Sequence, residues 1–161
     1  MGEMIKVGMA DMNVCRAPDA ITTLGLGSCI GVVLYDTRTK ICGMVHVMLP
    51  DSSIIKSNDN PAKFADTGIK AMLDKLAGMG VNKSALLAKM AGGAQMFAFN
   101  TSNDMLKVGQ KNAEAVRKQL QSNGIRIVAE DCGDTYGRTI EFYPETQELV
   151  IKAIGKPIKK I

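Results

Sequence analysis

The sequence predicts an α+β fold, similar to an α/β sandwich, in which mainly antiparallel β-sheets pack together and two principal helices flank them. Three observations lead to this class. Short apolar runs rich in β-branched residues outnumber the segments with helical periodicity. Most successive runs are joined by short polar turns, as in β-hairpins. The length of 161 residues, 46% of them hydrophobic, fits a single domain over residues 1–161 with a short basic tail from about residue 155.

The amino-terminal part is predicted to consist of strands. Residues 5–9 and 19–23 are expected to form two short strands. Two apolar runs follow, at residues 30–35 and 41–49, on either side of a polar turn at residues 36–39. Neither run alternates between apolar and polar side chains, which is typical of strands that are buried on both faces. We therefore expect a hairpin that is covered on both sides.

Two helices are predicted further along the chain, the first starting at Asn60-Pro61 and the second covering residues 109–122. Asparagine suits the N-cap, proline suits the first helical turn, and Gly80 is a good stop for the first helix. Apolar residues recur at intervals of three and four along both segments, as on the buried face of an amphipathic helix. The remaining apolar runs are predicted strands, at residues 85–90, 125–129, 138–143 and 148–153, of which the last two form a hairpin.

Composition excludes several classes of function. The 20 lysines and arginines exceed the 16 acidic residues by only four, and 4% of residues are aromatic. A dense basic stripe or a set of aromatic stacking platforms for nucleic acid is therefore not expected. No apolar run approaches the roughly 20 residues that span a bilayer, and the first residues lack an apolar signal-peptide core. We expect a cytoplasmic protein with no nucleic-acid partner and no direct membrane insertion.

The cysteines and the single histidine limit the chemistry of any site. The four cysteines are Cys15, Cys29, Cys42 and Cys132. No two of them form a C-x-x-C pair, and His46 is the only histidine, so a metal site is not expected. A nucleophilic thiol needs a neighbouring base, so His46 is the candidate base for any cysteine that acts as a nucleophile.

The predicted hairpin brings one cysteine close to the histidine. If Asp36 and Thr39 face each other across the turn, the same register places Cys29 directly opposite His46. Cross-strand partners have Cβ atoms about 4.5–5.5 Å apart, which allows a hydrogen bond between thiol and imidazole. A slip by one residue would place the two side chains on opposite faces. Cys29 and His46 are therefore predicted to share one face of the hairpin.

The segment before this cysteine supplies further parts of an acyl-transfer site. Its sequence is Gly25-Leu26-Gly27-Ser28, and a glycine-rich bend can present backbone N–H groups to the oxyanion of a tetrahedral intermediate. Gly27 and Ser28 are the candidate donors. A neighbouring imidazolium would lower the pKa of the thiol and favour the thiolate. The hydroxyl of Thr22 or of Thr23 could orient the imidazole as a third member of the site.

The same residues have simpler explanations. Buried cysteines and histidines are commonly inert parts of a core, and Gly25 and Gly27 could form a β-bulge. A thiol redox sensor built on Cys29 is a further alternative, for which Cys42 would have to lie close enough to act as the resolving thiol.

Two motifs and their spacing resemble the chemoreceptor glutamine deamidases, the CheD family. They are Thr23-Leu24-Gly25-Leu26-Gly27-Ser28-Cys29 and His46-Val47-Met48-Leu49-Pro50-Asp51-Ser52. The resemblance covers about residues 5–155. It includes residues 61–66, 91–97, 108–112, 129–131 and 138–142. One position departs from the family pattern, because Lys111 stands where we expect arginine, and lysine keeps the charge but lacks the bidentate fork.

The resemblance implies a fold similar to the catalytic domain of the cytotoxic necrotizing factor toxins. It also implies a reaction, the hydrolysis of selected glutamine side chains on bacterial chemoreceptors to glutamate, without a cofactor. In that reaction Cys29 is the nucleophile, His46 the general base and acid, and Thr23 the third member. The implied partners are the cytoplasmic helical region of the receptors and a CheC-type phosphatase. An alternative of another class is an adaptor that binds and stimulates this phosphatase with little use of its own site.

Overall fold

The computed structural model describes residues 2–54, 60–96 and 107–161, so residue 97 of the family resemblance lies outside the described residues. Within this part the α-helices are α1 (Ala65–Gly78) and α2 (Val108–Ser122). In chain order the strands are β1 (Met4–Val7), β2 (Met12–Arg16), β3 (Ala20–Leu26), β4 (Ile30–Asp36), β5 (Ile41–Val47), β6 (Leu86–Gly92), β7 (Arg126–Cys132), β8 (Arg138–Tyr143), β9 (Glu148–Lys152) and β10 (Lys159–Lys160).

The strands form two five-stranded sheets. Sheet A has the strand order β1-β3-β8-β9-β10, and sheet B has the order β2-β5-β4-β6-β7. The strands pair in antiparallel fashion except for β1 with β3 and β6 with β7. The predicted α+β class, with mainly antiparallel sheets and two principal helices, is confirmed for the described part of the chain.

Sheet B is the middle layer of the molecule. One face packs against sheet A through a core that contains Val33, Met44 and Ile140. The other face packs against the helices through a second core, which contains Val45 and Met72. Successive residues of β4 and β5 therefore alternate between two apolar cores, and every residue of both strands is buried. The prediction of a hairpin buried on both faces is confirmed.

The register of this hairpin differs from the predicted one by two residues. Gly31, and not Cys29, lies directly opposite His46. Because side chains alternate with a period of two, a shift by two residues keeps the same face. Cys29 accordingly belongs to the core between the two sheets. His46 faces the same core, because its ring contacts Thr23 of sheet A. The predicted common face is retained, although the two residues are not direct cross-strand partners.

The longer turn of the hairpin explains the shift. Asp36 pairs with Ile41 and not with Thr39. The Asp36 carboxylate accepts hydrogen bonds from the Arg38 N–H (3.0 Å) and from the Thr39 hydroxyl (2.9 Å), which holds these residues inside the turn. Lys40 closes the turn in the left-handed region with φ of 59°. The polar cluster therefore forms a four-residue connection where a two-residue one was expected.

The first helix starts later than predicted. Asn60 caps a single 3-10 turn, Pro61–Lys63, and Phe64 then adopts an extended conformation before α1 begins. Phe64 is buried in the core, so packing of its ring takes precedence over a continuous helix from the proline. Gly80 follows the end of α1 with φ of 85°, as expected for a helix stop. None of the helices in the described ranges is long and apolar enough to cross a membrane.

Strands β2 and β10 are not predicted by the sequence pattern. Strand β2 lies at the edge of sheet B and is only half-buried over most of its length, so its apolar signal is weak. The last residues, expected to be a basic tail, pair with the edge of sheet A through Lys159 and Lys160. Lys159 also forms an ion pair with Asp131 at 3.0 Å. The basic residues therefore lie along the sheet edge.

A methyl group at Gly31 is expected to disturb the contact between the sheets. A Cβ atom built there would lie 2.5 Å from Cδ1 of Ile140, which is fully buried. We expect Gly31→Ala to lower the free energy of unfolding by about 1–3 kcal/mol, the range for overpacking, as measured by urea denaturation.

Two further variants test this cause. Ile140→Val removes the Cδ1 atom, so it should cost less in the Gly31→Ala background than on its own. Gly78→Ala, at a position where no atom of the described residues lies within 4 Å of a new Cβ, should cause no loss of stability. Strictly additive losses for Gly31→Ala and Ile140→Val would contradict the overpacking explanation.

Candidate active site

Cys29 lies in the loop between β3 and β4, where this loop closes one end of the core between the sheets. The residue is 8% exposed, while the preceding Gly27 and Ser28 are half-buried. Cys29 is therefore almost completely buried at the end of a half-buried loop.

His46 is fully buried in β5, and a hydrogen bond from sheet A fixes its ring. The hydroxyl oxygen of Thr23 lies 2.7 Å from His46 Nδ1 and 2.8 Å from the carbonyl oxygen of Val7. A carbonyl oxygen can only accept, so the Thr23 hydroxyl donates its proton to Val7 and accepts from Nδ1–H. The neutral imidazole then carries its lone pair on Nε2.

The Nε2 atom is the free end of this hydrogen-bond chain. It is buried and has no hydrogen-bond partner among the described residues, Cys29 included. Thr22, the other candidate for orienting the ring, donates its hydroxyl proton to the carbonyl of Ile140 at 2.7 Å. Thr23 is therefore the threonine that holds the imidazole, and Nε2 is available to accept a proton.

Burial favours the neutral forms of both Cys29 and His46. It raises the pKa of the Cys29 thiol and lowers the pKa of the His46 imidazole. The expectation that an imidazolium lowers the thiol pKa is therefore wrong for the resting site. These directions favour a thiol and a neutral imidazole at neutral pH, so an attack by Sγ requires that its proton move to a base during the same step.

Hydrogen bonds to consecutive carbonyl groups hold the Cys29 loop. The Gly27 carbonyl accepts from the Ala94 N–H, and the Cys29 carbonyl accepts from the Gly93 N–H, both at 2.9 Å. The Ser28 carbonyl between them accepts from a side-chain amide of α2, also at 2.9 Å. The loop is thus held by hydrogen bonds to its backbone carbonyl groups.

The structure changes the set of candidate oxyanion donors. The Gly27 N–H donates to the carbonyl of Gly25 at 3.1 Å, so Gly27 is unsuited to the role predicted for it. The N–H groups of Ser28 and Cys29 have no partner in the part of the chain that the structure describes. The N–H groups of Ser28 and Cys29 are therefore free to donate, and an oxyanion role for Ser28 stays a prediction.

Gly92 allows this loop to approach β6. It has φ of 116°, and a Cβ atom built on it would lie 2.2 Å from the carbonyl oxygen of Cys29. Any side chain at this position would collide with the backbone of the cysteine. The glycine-rich end of β6 is thus a requirement for the position of the thiol.

A β-bulge beside the site exposes apolar side chains. The pairing of β3 with β8 shifts by one residue between Thr23 and Leu26, and Gly25 lies there with φ of 68°. The β-bulge that was the alternative explanation for Gly25 and Gly27 is therefore present. It occurs together with a histidine whose ring is held by Thr23. Leu24 is 66% exposed at the bulge, and Met96, 47% exposed, packs against the loop before the cysteine.

Cys42 belongs to a different pair of thiols. Its sulfur lies 3.5 Å from that of Cys15, its direct partner across the β2–β5 ladder. All four cysteines of the chain are free. The position of Cys42 therefore does not favour a redox sensor in which Cys29 is the attacking thiol.

One residue beside this site, Asn112, is not among those predicted from the sequence. Asn112, in the second turn of α2, is fully buried, and its Nδ2 donates to the carbonyls of Ser28 and Met48, each at 2.9 Å. A signal was available, because Asn112 lies on the buried face of a helix whose other buried positions include Gly109 and Val116. A polar residue within an apolar stripe indicates a specific hydrogen-bonding role.

These parts fit one class of site. A buried thiol, an imidazole with a fixed tautomer and two unpaired backbone N–H groups are what acyl transfer by a thiol requires. Comparison with known proteins identifies the family. The family model described as CheD chemotactic sensory transduction matches residues 48–153 of the chain.

Several full-length relatives agree with this match. A probable chemoreceptor glutamine deamidase CheD from Lachnoclostridium phytofermentans is 65% identical over 161 residues, which cover 100% of both chains. The chemoreceptor glutamine deamidase CheD of Halalkalibacterium halodurans is 52% identical and also covers 100% of both chains. That of Bacillus subtilis is 47% identical over 98% of this chain and 96% of its own. The chain belongs to the CheD family, which confirms the resemblance found in its motifs.

The tautomer of the histidine can be tested directly. His46 is the only histidine, so long-range ¹H–¹⁵N correlation spectra contain a single imidazole pattern. We expect the Nδ1–H tautomer at neutral pH, and Thr23→Val should change this pattern because Nδ1–H loses its acceptor. Thr22→Val, which removes the adjacent buried hydroxyl, should leave it unchanged. An Nε2–H tautomer in the unaltered protein would contradict the assignment.

Protonation of His46 should occur below its usual range. Because burial lowers the pKa of the imidazole, we expect an NMR titration midpoint below about 6.5. Between the folded and unfolded pKa values the unfolded chain binds more protons, so the free energy of unfolding should fall as the pH drops below about 6.5. His46→Gln should remove this contribution. A midpoint above that of a free histidine would show that burial does not dominate the titration.

Proposed function

We propose that this chain is a protein-glutamine deamidase that converts glutamine side chains of chemoreceptors to glutamate. In this proposal Cys29 is the nucleophile, His46 is the general base and acid, and Thr23 orients the imidazole. The observation that carries it is the hydrogen-bond chain from Val7 through Thr23, which leaves the lone pair of the only histidine on Nε2. The names of the full-length relatives support the same reaction.

The reaction runs through a thioester. His46 Nε2 takes the thiol proton as Sγ attacks the side-chain amide carbon, and the oxyanion binds the N–H groups of Ser28 and Cys29. The imidazolium then gives this proton to the nitrogen of the substrate amide, the C–N bond breaks, and ammonia leaves. Water then attacks the thioester carbon while Nε2 accepts a proton from it. The C–S bond breaks, the imidazolium returns its proton to Sγ to restore the thiol, and the carboxylic acid that forms releases its own proton to become glutamate.

The surroundings of the thiol support a macromolecular substrate. Cys29 follows a half-buried loop against which the exposed Met96 packs, and Leu24, five residues before Cys29, is also exposed. A glutamine on the cytoplasmic helical region of a receptor can insert its side chain there while the rest of the helix remains outside. This proposal places the protein in the cytoplasm and requires no cofactor. A likeness to the catalytic domain of the cytotoxic necrotizing factor toxins and binding of a CheC-type phosphatase stay predictions that go with it.

The experiment is mass spectrometry of purified receptor cytoplasmic fragments after incubation with the protein. Conversion of glutamine to glutamate should be seen with the unaltered chain, and Cys29→Ala should reduce its rate by at least about 10³-fold. Cys132→Ala, which removes a half-buried thiol outside the site, is the matched control and should keep the activity. Unchanged conversion by Cys29→Ala would rule out this nucleophile.

The same variants separate an enzyme from an adaptor. An adaptor that only stimulates a phosphatase would keep its cellular effect on chemotaxis in Cys29→Ala, whereas an enzyme would lose it. Stimulation of a CheC-type phosphatase by both the unaltered chain and Cys29→Ala, with no conversion of receptor glutamines by either, would favour the adaptor.

A further inference from the structure

Asn112 connects the two chain segments that carry the thiol and the imidazole. It is fully buried, and its Nδ2 atom donates one hydrogen bond to the Ser28 carbonyl and one to the Met48 carbonyl, each at 2.9 Å. Ser28 directly precedes Cys29, and Met48 lies two residues after His46. A single nitrogen atom thus bridges the nucleophile loop and the end of β5.

The orientation of this amide follows from its partners. Both neighbours are carbonyl oxygens, so only the NH₂ group of Asn112 can face them. The Oδ1 atom is buried and has no hydrogen-bond partner among the described residues. A buried acceptor without a partner is unfavourable. The other buried positions Ala113 and Val116 are apolar, so their side chains carry no such acceptor. The two hydrogen bonds of Nδ2 therefore offset the free-energy cost of burying Oδ1 without a partner.

The first turn of α2 is held close enough for this bridge. A Cβ atom built on Gly109 would lie 2.5 Å from the Ala94 carbonyl oxygen and 2.6 Å from the carbonyl carbon of Gly93. The helix therefore touches the glycine-rich turn that also binds the Cys29 loop. Asn112 follows Gly109 by three residues and so lies one turn further along the same face.

We propose that Asn112 is a positioning residue that sets the spacing between the Cys29 thiol and Nε2 of His46. This rests on the proposed function of these two residues as nucleophile and base. Because one nitrogen binds both carbonyls, it fixes their separation, and loss of either bond releases one of the two segments. A misplacement of reacting groups by about 1 Å can reduce a rate by roughly 10²-fold, so the effect should be large although Asn112 touches no substrate.

The test compares Asn112→Asp with Val116→Ala on the same helix face. The aspartate keeps the shape but presents oxygen to both carbonyls, whereas Val116→Ala removes apolar packing without altering any hydrogen bond to the loop. We expect Asn112→Asp to lower kcat for deamidation by roughly 10²-fold with little change in KM, and Val116→Ala to change kcat by less than about 3-fold. Because a buried carboxylate can prevent folding, the uncharged Asn112→Ser is measured in parallel and should show the same split.

Two measurements without receptor separate failure of this inference from failure of the proposed function. These are the rate of Cys29 alkylation by iodoacetamide, followed by peptide mass spectrometry, and the imidazole NMR pattern of His46. If the unaltered chain shows no deamidation but the Asn112 variants still shift both readouts, the proposed function fails and the positioning role stands. Unchanged alkylation and NMR in Asn112→Ser would overturn the inference. An equal loss of kcat in Val116→Ala would also overturn it.

Discussion

The direction of one hydroxyl proton determines the chemistry that this site can perform. The Thr23 hydroxyl has one proton, which it donates in a hydrogen bond to the Val7 carbonyl, so its oxygen must accept from Nδ1–H of His46. Val7 is the direct neighbour of Thr23 because β1 runs parallel to β3. A strand that contributes no functional side chain therefore sets the tautomer of the histidine through its backbone alone.

The site depends equally on the packing of the two sheets. Thr23 belongs to sheet A and His46 to sheet B, so the hydrogen bond between them forms only when the sheets are packed together. The apolar core at this interface also excludes water, which moves the pKa values of thiol and imidazole in opposite directions, both toward the neutral form. The same packing that stabilises the fold thus orients the base and keeps the resting pair uncharged.

Much of this arrangement could be predicted from the sequence because it depends on local pattern. The β8 strand has its predicted bounds, and the common face of Cys29 and His46 survives an error of two residues in register since side chains alternate with a period of two. The longer turn could not be read from a polar run alone, because it depends on hydrogen bonds to the Asp36 side chain. The place of Asn112 in an apolar stripe indicates a hydrogen-bonding role, but its two partners could not be predicted, because they depend on how a helix far along the chain approaches the loop.

The bulge in β3 has a consequence for how one strand combines two tasks. On a regular strand, residues three apart point in opposite directions, yet Thr23 and Leu26 are both buried and pair with Ile140 and Arg138, which are only two apart. The bulge accommodates one extra residue at Leu24-Gly25. The Thr23 hydroxyl, which binds the imidazole, and the apolar Leu26 side chain therefore lie on the same inward face. Loss of one residue here would leave Thr23 and Leu26 two apart on a regular strand, so both side chains would still face inward, but it would remove the exposed Leu24 or the left-handed Gly25 from the segment that leads to Cys29.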